Sequence, residues 1–426
     1  MTITIFLGSM IAAMALGVPI AFSLLLCGAA LMWHLNMFDA QILAQNVING
    51  ADSFPLLAVP FFMLAGEVMN AGGLSRRIVN FAMALVGHIK GGLGYVTIVA
   101  AVIMASLSGS AVADAAALTA LLLPMMVAAG HDKARSAGLI ASAGIIAPII
   151  PPSIGFVIFG VAANVSISKL FMAGIFPGVW LAVSLWFTWW YLVRKETIAP
   201  PPRKNRAEVL GALKDATWAL VLPFIIVFGL KFGVFTPTEA AVVAAVYSLF
   251  VSTAIYRELN LKKLVPLFVS AATTCAIVMF LVAAAMVSAW LITVANLPAQ
   301  VVALLEPLLD SPKLLMFAIM LLVMLVGTAM DMTPTILILT PVLMPLVKAA
   351  GIDPVYFGVL FIINNAIGLI TPPVGTVLNT VAGVGKISMD DVTKGVMPFM
   401  IAQFILMFLM VIFPQLVMVP ARWFYG

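Results

Sequence analysis

Long apolar runs with almost no charge recur from one end of this chain to the other; Leu220–Leu230, Glu239–Ile255, Phe268–Val294 and Val396–Val419 are examples. The longer ones suffice to cross a hydrocarbon layer about 30 Å thick, for which an α-helix needs roughly 20 residues. Inside such a layer every backbone N–H and C=O must be paired within the protein, so spanning segments are helices or a closed barrel, and runs of this length select helices. Only 9% of the 426 residues are charged, against about a quarter in a soluble domain. The composition therefore predicts an all-α polytopic membrane protein with no soluble domain. Met1–Leu16 lacks a basic leader and a cleavage site, and reads as a first membrane helix, not a removable signal. Cys27 and Cys275 stand alone in apolar stretches, a pattern of core thiols that excludes a disulfide framework, a transition-metal site or a haem. Basic residues are not interleaved with aromatics, so nucleic acid is excluded as a partner.

The charges orient the chain. The densest basic stretch, RKETIAPPPRKNR from Arg194 to Arg206, follows an aromatic belt (Trp186, Trp189, Trp190, Tyr191) near the middle of the sequence. It reads as a cytoplasmic linker over residues 194–215 between two halves, 1–193 and 216–426. Counting spans outward from it leaves Lys169, Lys231, Lys313, Lys348 and Arg422 outside and the other basic residues inside, as the positive-inside rule favours. That count places both termini on the periplasmic side. It also requires two segments, about 93–130 and 313–350, to enter and leave on the same side as re-entrant hairpins.

The halves repeat each other. At a constant offset of 221 residues LLPMMVAAGHD (Leu122–Asp132) lies over LMPLVKAAGID (Leu343–Asp353), and IIPPSIG (Ile149–Gly155) over ITPPVGT (Ile370–Thr376). Upstream, LSRRIV (Leu74–Val79) matches LPAQVV (Leu297–Val302) at an offset of 223. Since the first hairpin opens inward and the second outward, the repeats are inverted, the strongest sequence pointer to a secondary transporter with a midplane site. Residues 74–90 and 297–310 are amphipathic and read as arms lying along the two interfaces.

Each half carries two polar interruptions: a hairpin tip, SLSGS (Ser106–Ser110) or GTAMDMTPT (Gly327–Thr335), and a Pro-Pro break inside the predicted helices 137–163 and 354–380. Two adjacent prolines remove two amide donors and free the carbonyls of the preceding turn. In hydrocarbon those carbonyls must be met by protein, water or an ion. A tip facing a break thus offers carbonyls and hydroxyls to a hard cation such as Na⁺, while the restarting half-helices offer N–H groups to an anion. Asp114 and Asp331 are the carboxylates inside the hairpins, where an ionisable group is functional by default; each could counter a cation, carry a coupling proton or cap a half-helix. At the 221-residue offset Asp331 faces Ser110 and Asp114 faces Thr335, so neither carboxylate is repeated. Asn364 and Asn365, just ahead of the second break, either bind substrate or satisfy the break. Glu67 lies near an inner helix end, and Glu239, in TPTEAA, reads as a cap more than as a coupling group; neither is counted as a ligand.

The stretches SLSGSAVAD, AGLIASAGIIAPIIPPSIG, GVFTPTEAA, GTAMDMTPT and GLITPPVGTVLN resemble the large membrane subunit of TRAP transporters, the tripartite ATP-independent periplasmic transporters, over nearly the whole chain. The resemblance implies an elevator-type, sodium-driven importer in a bacterial inner membrane. It would take organic acids such as C4-dicarboxylates or sialic acid, with Na⁺ as the coupling ion and no other cofactor. It implies two partners, a small four-helix membrane subunit on a separate chain and a periplasmic substrate-binding protein. Carried onto this sequence, one sodium site falls between Ser106, Ser108, Gly109, Ser110 and the break at Ala147–Pro151. The other falls between Gly327, Met330, Asp331 and the break at Gly368 and Thr371. Substrate candidates are Ser153, Asn364, Asn365, Thr376 and Asn379. A proton-coupled anion transporter using Asp114 or Asp331 is the nearest rival, and a channel or structural subunit a weaker one. An enzyme is not expected, since His34, His88 and His131 sit at span ends and no catalytic carboxylate pair appears.

Overall fold

The computed structural model describes every residue except Met1, Thr197, Ala199, Leu305 and Gly426. Among the described residues there are helices and no strands, and eight helical stretches are long and apolar enough to cross a membrane. The chain is an all-α, multi-pass membrane protein.

The first helices are α1 (Thr2–Ala15), α2 (Ile20–His34), α3 (Ala40–Ala51), α4 (Ala58–Ala71) and α5 (Leu74–Val86). Then come α6 (Gly92–Ser108), α7 (Ala111–Ala128), α8 (Lys133–Gly144), α9 (Ile154–Ala163) and α10 (Ile167–Val193). The middle of the chain forms α11 (Arg206–Lys231), α12 (Pro237–Phe250), α13 (Leu261–Val294), α14 (Leu297–Leu304) and α15 (Glu306–Leu309). The remainder forms α16 (Pro312–Gly327), α17 (Met332–Ala349), α18 (Pro354–Gly368), α19 (Thr376–Gly385), α20 (Met389–Ile412) and α21 (Gln415–Tyr425). The sharpest feature of this order is length. The helix α9 has 10 residues and rises only about 15 Å, half a bilayer, while α13 has 34 and exceeds one. The short helices α9 and α19, 10 residues each, both restart directly after a Pro-Pro break.

Tight packing holds these helices together, as expected where lipid removes the hydrophobic drive between them. The helix α8 lies on α20 through Gly138 and Gly395: a Cβ on Gly395 would stand 1.9 Å from the Ala134 carbonyl oxygen, so the backbones touch. Gly174 of α10 does the same at the first break, where a Cβ would meet the Ile149 carbonyl oxygen at 2.4 Å. The arm α5 starts after Gly73 (φ +75°) and is pinned by Arg76 and Arg77, which both reach Glu258 Oε1, at 2.9 and 2.6 Å.

Three expectations change. The linker is shorter than 194–215, because Asn205 and Glu208 form a capping box that starts α11 at Arg206; its residues Thr197 and Ala199 lie outside the described residues. The run Val396–Val419 is two helices: Pro414 pushes Phe413 out of helical geometry (φ −119°, ψ 78°) and ends α20. Cys27 is a core thiol, but Cys275 is only half-buried. Glu67 lies near the end of α4, four residues before its last residue, and Glu239 completes a capping box with Thr236. Leu305, within the second amphipathic stretch, lies outside the described residues.

Candidate functional site

At the first crossing α6 ends at Ser108, Gly109 turns the chain at φ +62°, and extended Ser110 caps α7 by accepting from Ala113 N at 3.4 Å. Gly109 is where the tip rests on the break. A Cβ there would stand 2.4 Å from the Pro152 carbonyl oxygen, so both the left-handed turn and the contact require glycine. The Ser108 hydroxyl donates to Asp114 Oδ1 at 2.6 Å and accepts from Ser110 N at 3.2 Å. Asp114 is 1% exposed, and its Oδ2 has no partner among the described residues. Ser106 is spent locally, donating to the Ile103 carbonyl. The opposing segment from Ala147 to Pro151 is buried in tight turns and leads into the cis Pro151–Pro152 bond.

The second crossing has the same plan with looser contacts. Gly327 at the end of α16 meets Gly368 at the end of α18, where a Cβ on Gly368 would lie 3.0 Å from the Gly327 Cα. Val374 N reaches the Thr328 carbonyl at 3.4 Å, tying tip to break beside the cis Pro372–Pro373 bond. Asp331 holds the N-cap position of α17 yet makes no side-chain cap, and Thr376 donates to its Oδ1 at 3.4 Å. Asp331 is exposed and Met330 half-buried. Thr371 donates to Ile367 O at 2.8 Å, with the Met400 sulfur 3.6 Å away.

The two crossings meet. Gly155, at the start of α9, faces the Met332 side chain directly after Asp331, with 3.2 Å between a notional Cβ and Met332 Cε. Two helix N-termini, those of α9 and α17, therefore converge, and partial positive charge gathers there. Of the substrate candidates, Ser153 is fully buried as the cap of α9; it accepts from Phe156 N and donates to the Pro148 carbonyl. Asn364 donates to the Met320 carbonyl at 2.6 Å and Asn365 to Phe361 O at 2.7 Å; both are buried, and their Oδ1 atoms have no partner among the described residues. Asn379 is exposed and donates to the Val374 carbonyl. Thr376 and Asn379 thus sit on the open second crossing, while Ser153, Asn364 and Asn365 are held inside the bundle.

One buried residue escaped the sequence reading. Gln403 of α20 donates to the Ser142 carbonyl at 3.0 Å, one turn ahead of the first break, and its Oε1 has no partner among the described residues. Its signal was available, as a lone amide inside the apolar run MPFMIAQFILMFLM. Glu67 lines a small cavity of about 70 Å³ together with Ser108 and Ser110 at the first tip. It also lines a neighbouring cavity of about 550 Å³ between α4, α5 and the alanine face of α7.

Half-length helices restarting at a shared point and hairpin tips seated on broken helices are the layout of a membrane solute transporter. The sequence matches the profile described as tripartite ATP-independent periplasmic transporter, DctM component, over residues 7–416, and the chain belongs to that family. It is 58% identical over 99% of its length to all of the 2,3-diketo-L-gulonate TRAP transporter large permease protein YiaN of Escherichia coli. It is 38% identical, over 96% of each chain, to the sialic acid TRAP transporter large permease protein SiaM of Vibrio cholerae. Its fold resembles that of the Alcanivorax borkumensis YdaH transporter, with a TM-score of 0.63 over 92% of this chain and 91% of that one at 16% identity.

Proposed function

We propose that this chain is the cargo-carrying membrane subunit of a sodium-driven importer of carboxylates, with a sugar acid as cargo. The reading rests on one observation above all: in each half a hairpin tip is seated on a Pro-Pro break, at Gly109 against Pro152 and at Gly327 against Gly368. Such a crossing offers backbone carbonyls and hydroxyls to a dehydrated monovalent cation. The converging N-termini of α9 and α17 suit a carboxylate without a buried lysine. Sodium would bind at Ser106, Ser108, Gly109 and Ser110 on one side and at Gly327, Met330, Asp331, Gly368 and Thr371 on the other. Thr376 and Asn379 would touch the cargo first. The sugar-acid class follows the relative at 58% identity, which is named for 2,3-diketo-L-gulonate; C4-dicarboxylates and sialic acid stand behind it.

In this reading the two inverted halves move their hairpins and broken helices past a fixed frame, elevator fashion, in a bacterial inner membrane with both termini periplasmic. A periplasmic binding protein delivers the acid and a small four-helix subunit completes the frame, as the three-part family name supports. Proton coupling is the second reading, favoured by the buried Asp114 oxygen that has no partner among the described residues. Uptake of 2,3-diketo-L-gulonate into proteoliposomes carrying both membrane subunits, with the binding protein added, separates them. Uptake should follow an imposed sodium gradient and vanish in potassium; uptake that persists without sodium and follows pH instead overturns the sodium reading.

A further inference from the structure

The small cavity at the first tip is lined partly by α4 and α13, which belong to neither the hairpin nor the broken helix. Glu67 of α4 faces into it with Ser108, Ser110 and Thr274, and no described residue hydrogen-bonds or ion-pairs with its carboxylate. Close approach fixes the pairing of these elements: a Cβ on the adjacent Gly66 would stand 3.3 Å from Ser108 Cβ. The cavity is about 70 Å³, room for roughly two water-sized groups. An organic acid needs several times that space, on the order of 300 Å³ or more. Polarity decides the sign of the occupant. The Ser108 proton is committed to Asp114, so towards any further partner that hydroxyl has only lone pairs to offer. A carboxylate beside it and an acceptor hydroxyl repel an anion and attract a cation.

We propose that Glu67 is a frame-side ligand for a monovalent cation bridging α4 to the first hairpin tip, a contact made only while that tip stands beside α4. The proposal rests on the sodium-coupled reading above and adds a residue from outside the hairpins and breaks. It is one-sided: at the 223-residue offset that relates the arms, Glu67 falls on Trp290 of α13, so the second half has no matching carboxylate. Movement of the tip away from α4 would strip the cation of its one formal negative charge in this cavity and promote its release.

Thermal unfolding of the full chain, purified in detergent with any partner that stays bound, is followed against NaCl at constant ionic strength made up with KCl. Sodium should stabilise the wild type. E67Q should raise the half-stabilising sodium concentration by roughly fivefold or more, the scale of losing one nearby charge. E67D, which keeps the charge but withdraws it by one methylene, should fall between, and it tests the proposal even if E67Q does not fold. If both variants keep the wild-type sodium curve while wild-type uptake still requires sodium, Glu67 has no such role and the coupling reading stands. If wild-type uptake requires no sodium, the coupling reading falls and this assignment falls with it.

Discussion

At the first hairpin tip the carboxylate stands one turn inside its helix, buried at 1% exposure and bonded to Ser108, while at the second it occupies the cap itself and is exposed. The backbone positions correspond, since Ser110 and Asp331 both precede the first helical residue and Asp114 and Thr335 both sit four residues further on. The side chains have exchanged places. A serine cap with an inner aspartate yields a closed knot, because the short hydroxyl satisfies the helix end and the carboxylate folds back on the tip. An aspartate cap with an inner threonine leaves the charge outside, because Thr335 turns back to bond the Asp331 carbonyl at 2.8 Å. One plan thus produces a sealed crossing and an open one, and the difference teaches that repeated segments need not share a chemical role.

The largest expected break in this contrast is at the glycines. Gly109→Ala forces a left-handed alanine into the Pro152 carbonyl and should lower unfolding stability by about 2–4 kcal/mol. Gly327→Ala meets nothing nearer than 3.4 Å and should stay within about 1 kcal/mol. Equal losses in denaturant unfolding of the purified variants would erase the distinction. Next comes the knot: Ser108→Ala leaves the buried Asp114 without its donor and should cost about 1–3 kcal/mol. The matching Thr376→Val, which removes a 3.4 Å contact to an exposed carboxylate, should cost under about 0.5 kcal/mol. Smallest in stability is Asp331→Asn, expected within about 0.5 kcal/mol because the carboxylate is exposed and caps nothing. Its uptake should nonetheless fall roughly tenfold, the scale of about 1.4 kcal/mol of lost ion contact, and wild-type uptake with wild-type sodium dependence would remove Asp331 from the site.

What the sequence makes legible is local chemistry. The Ser-Leu-Ser-Gly-Ser tip and the paired prolines announce interruptions because glycine and proline act on their own backbone, and helices do stop at Ser108, Gly144, Gly327 and Gly368. The capping box at Asn205 and Glu208 and the stop at Pro414 are equally local, and a stricter reading of capping and proline rules would have placed both. Which tip is sealed is a different matter. Ser108 reaches Asp114 only because Gly109 reverses the chain, and Glu67 reaches the tip only because Gly66 lets α4 approach. Neither relation has a spacing signature. Gln403 lies between, since an amide in an apolar run is visible, but its bond to the Ser142 carbonyl 261 positions away is not.

The linker carries a mechanical consequence. Glu196 is held by His131, on the turn between α7 and α8, and by Arg135, in the first turn of α8, while Asn205 caps α11 on the far side of the connection. Nine peptide steps separate the two anchors, and even fully stretched they reach no more than about 30 Å. Three consecutive prolines, Pro200–Pro202, make that strap stiff as well as short. In the proposed elevator motion, any stroke of the first hairpin past α11 works against a leash of bounded length, and severing the Glu196 anchor would lengthen it.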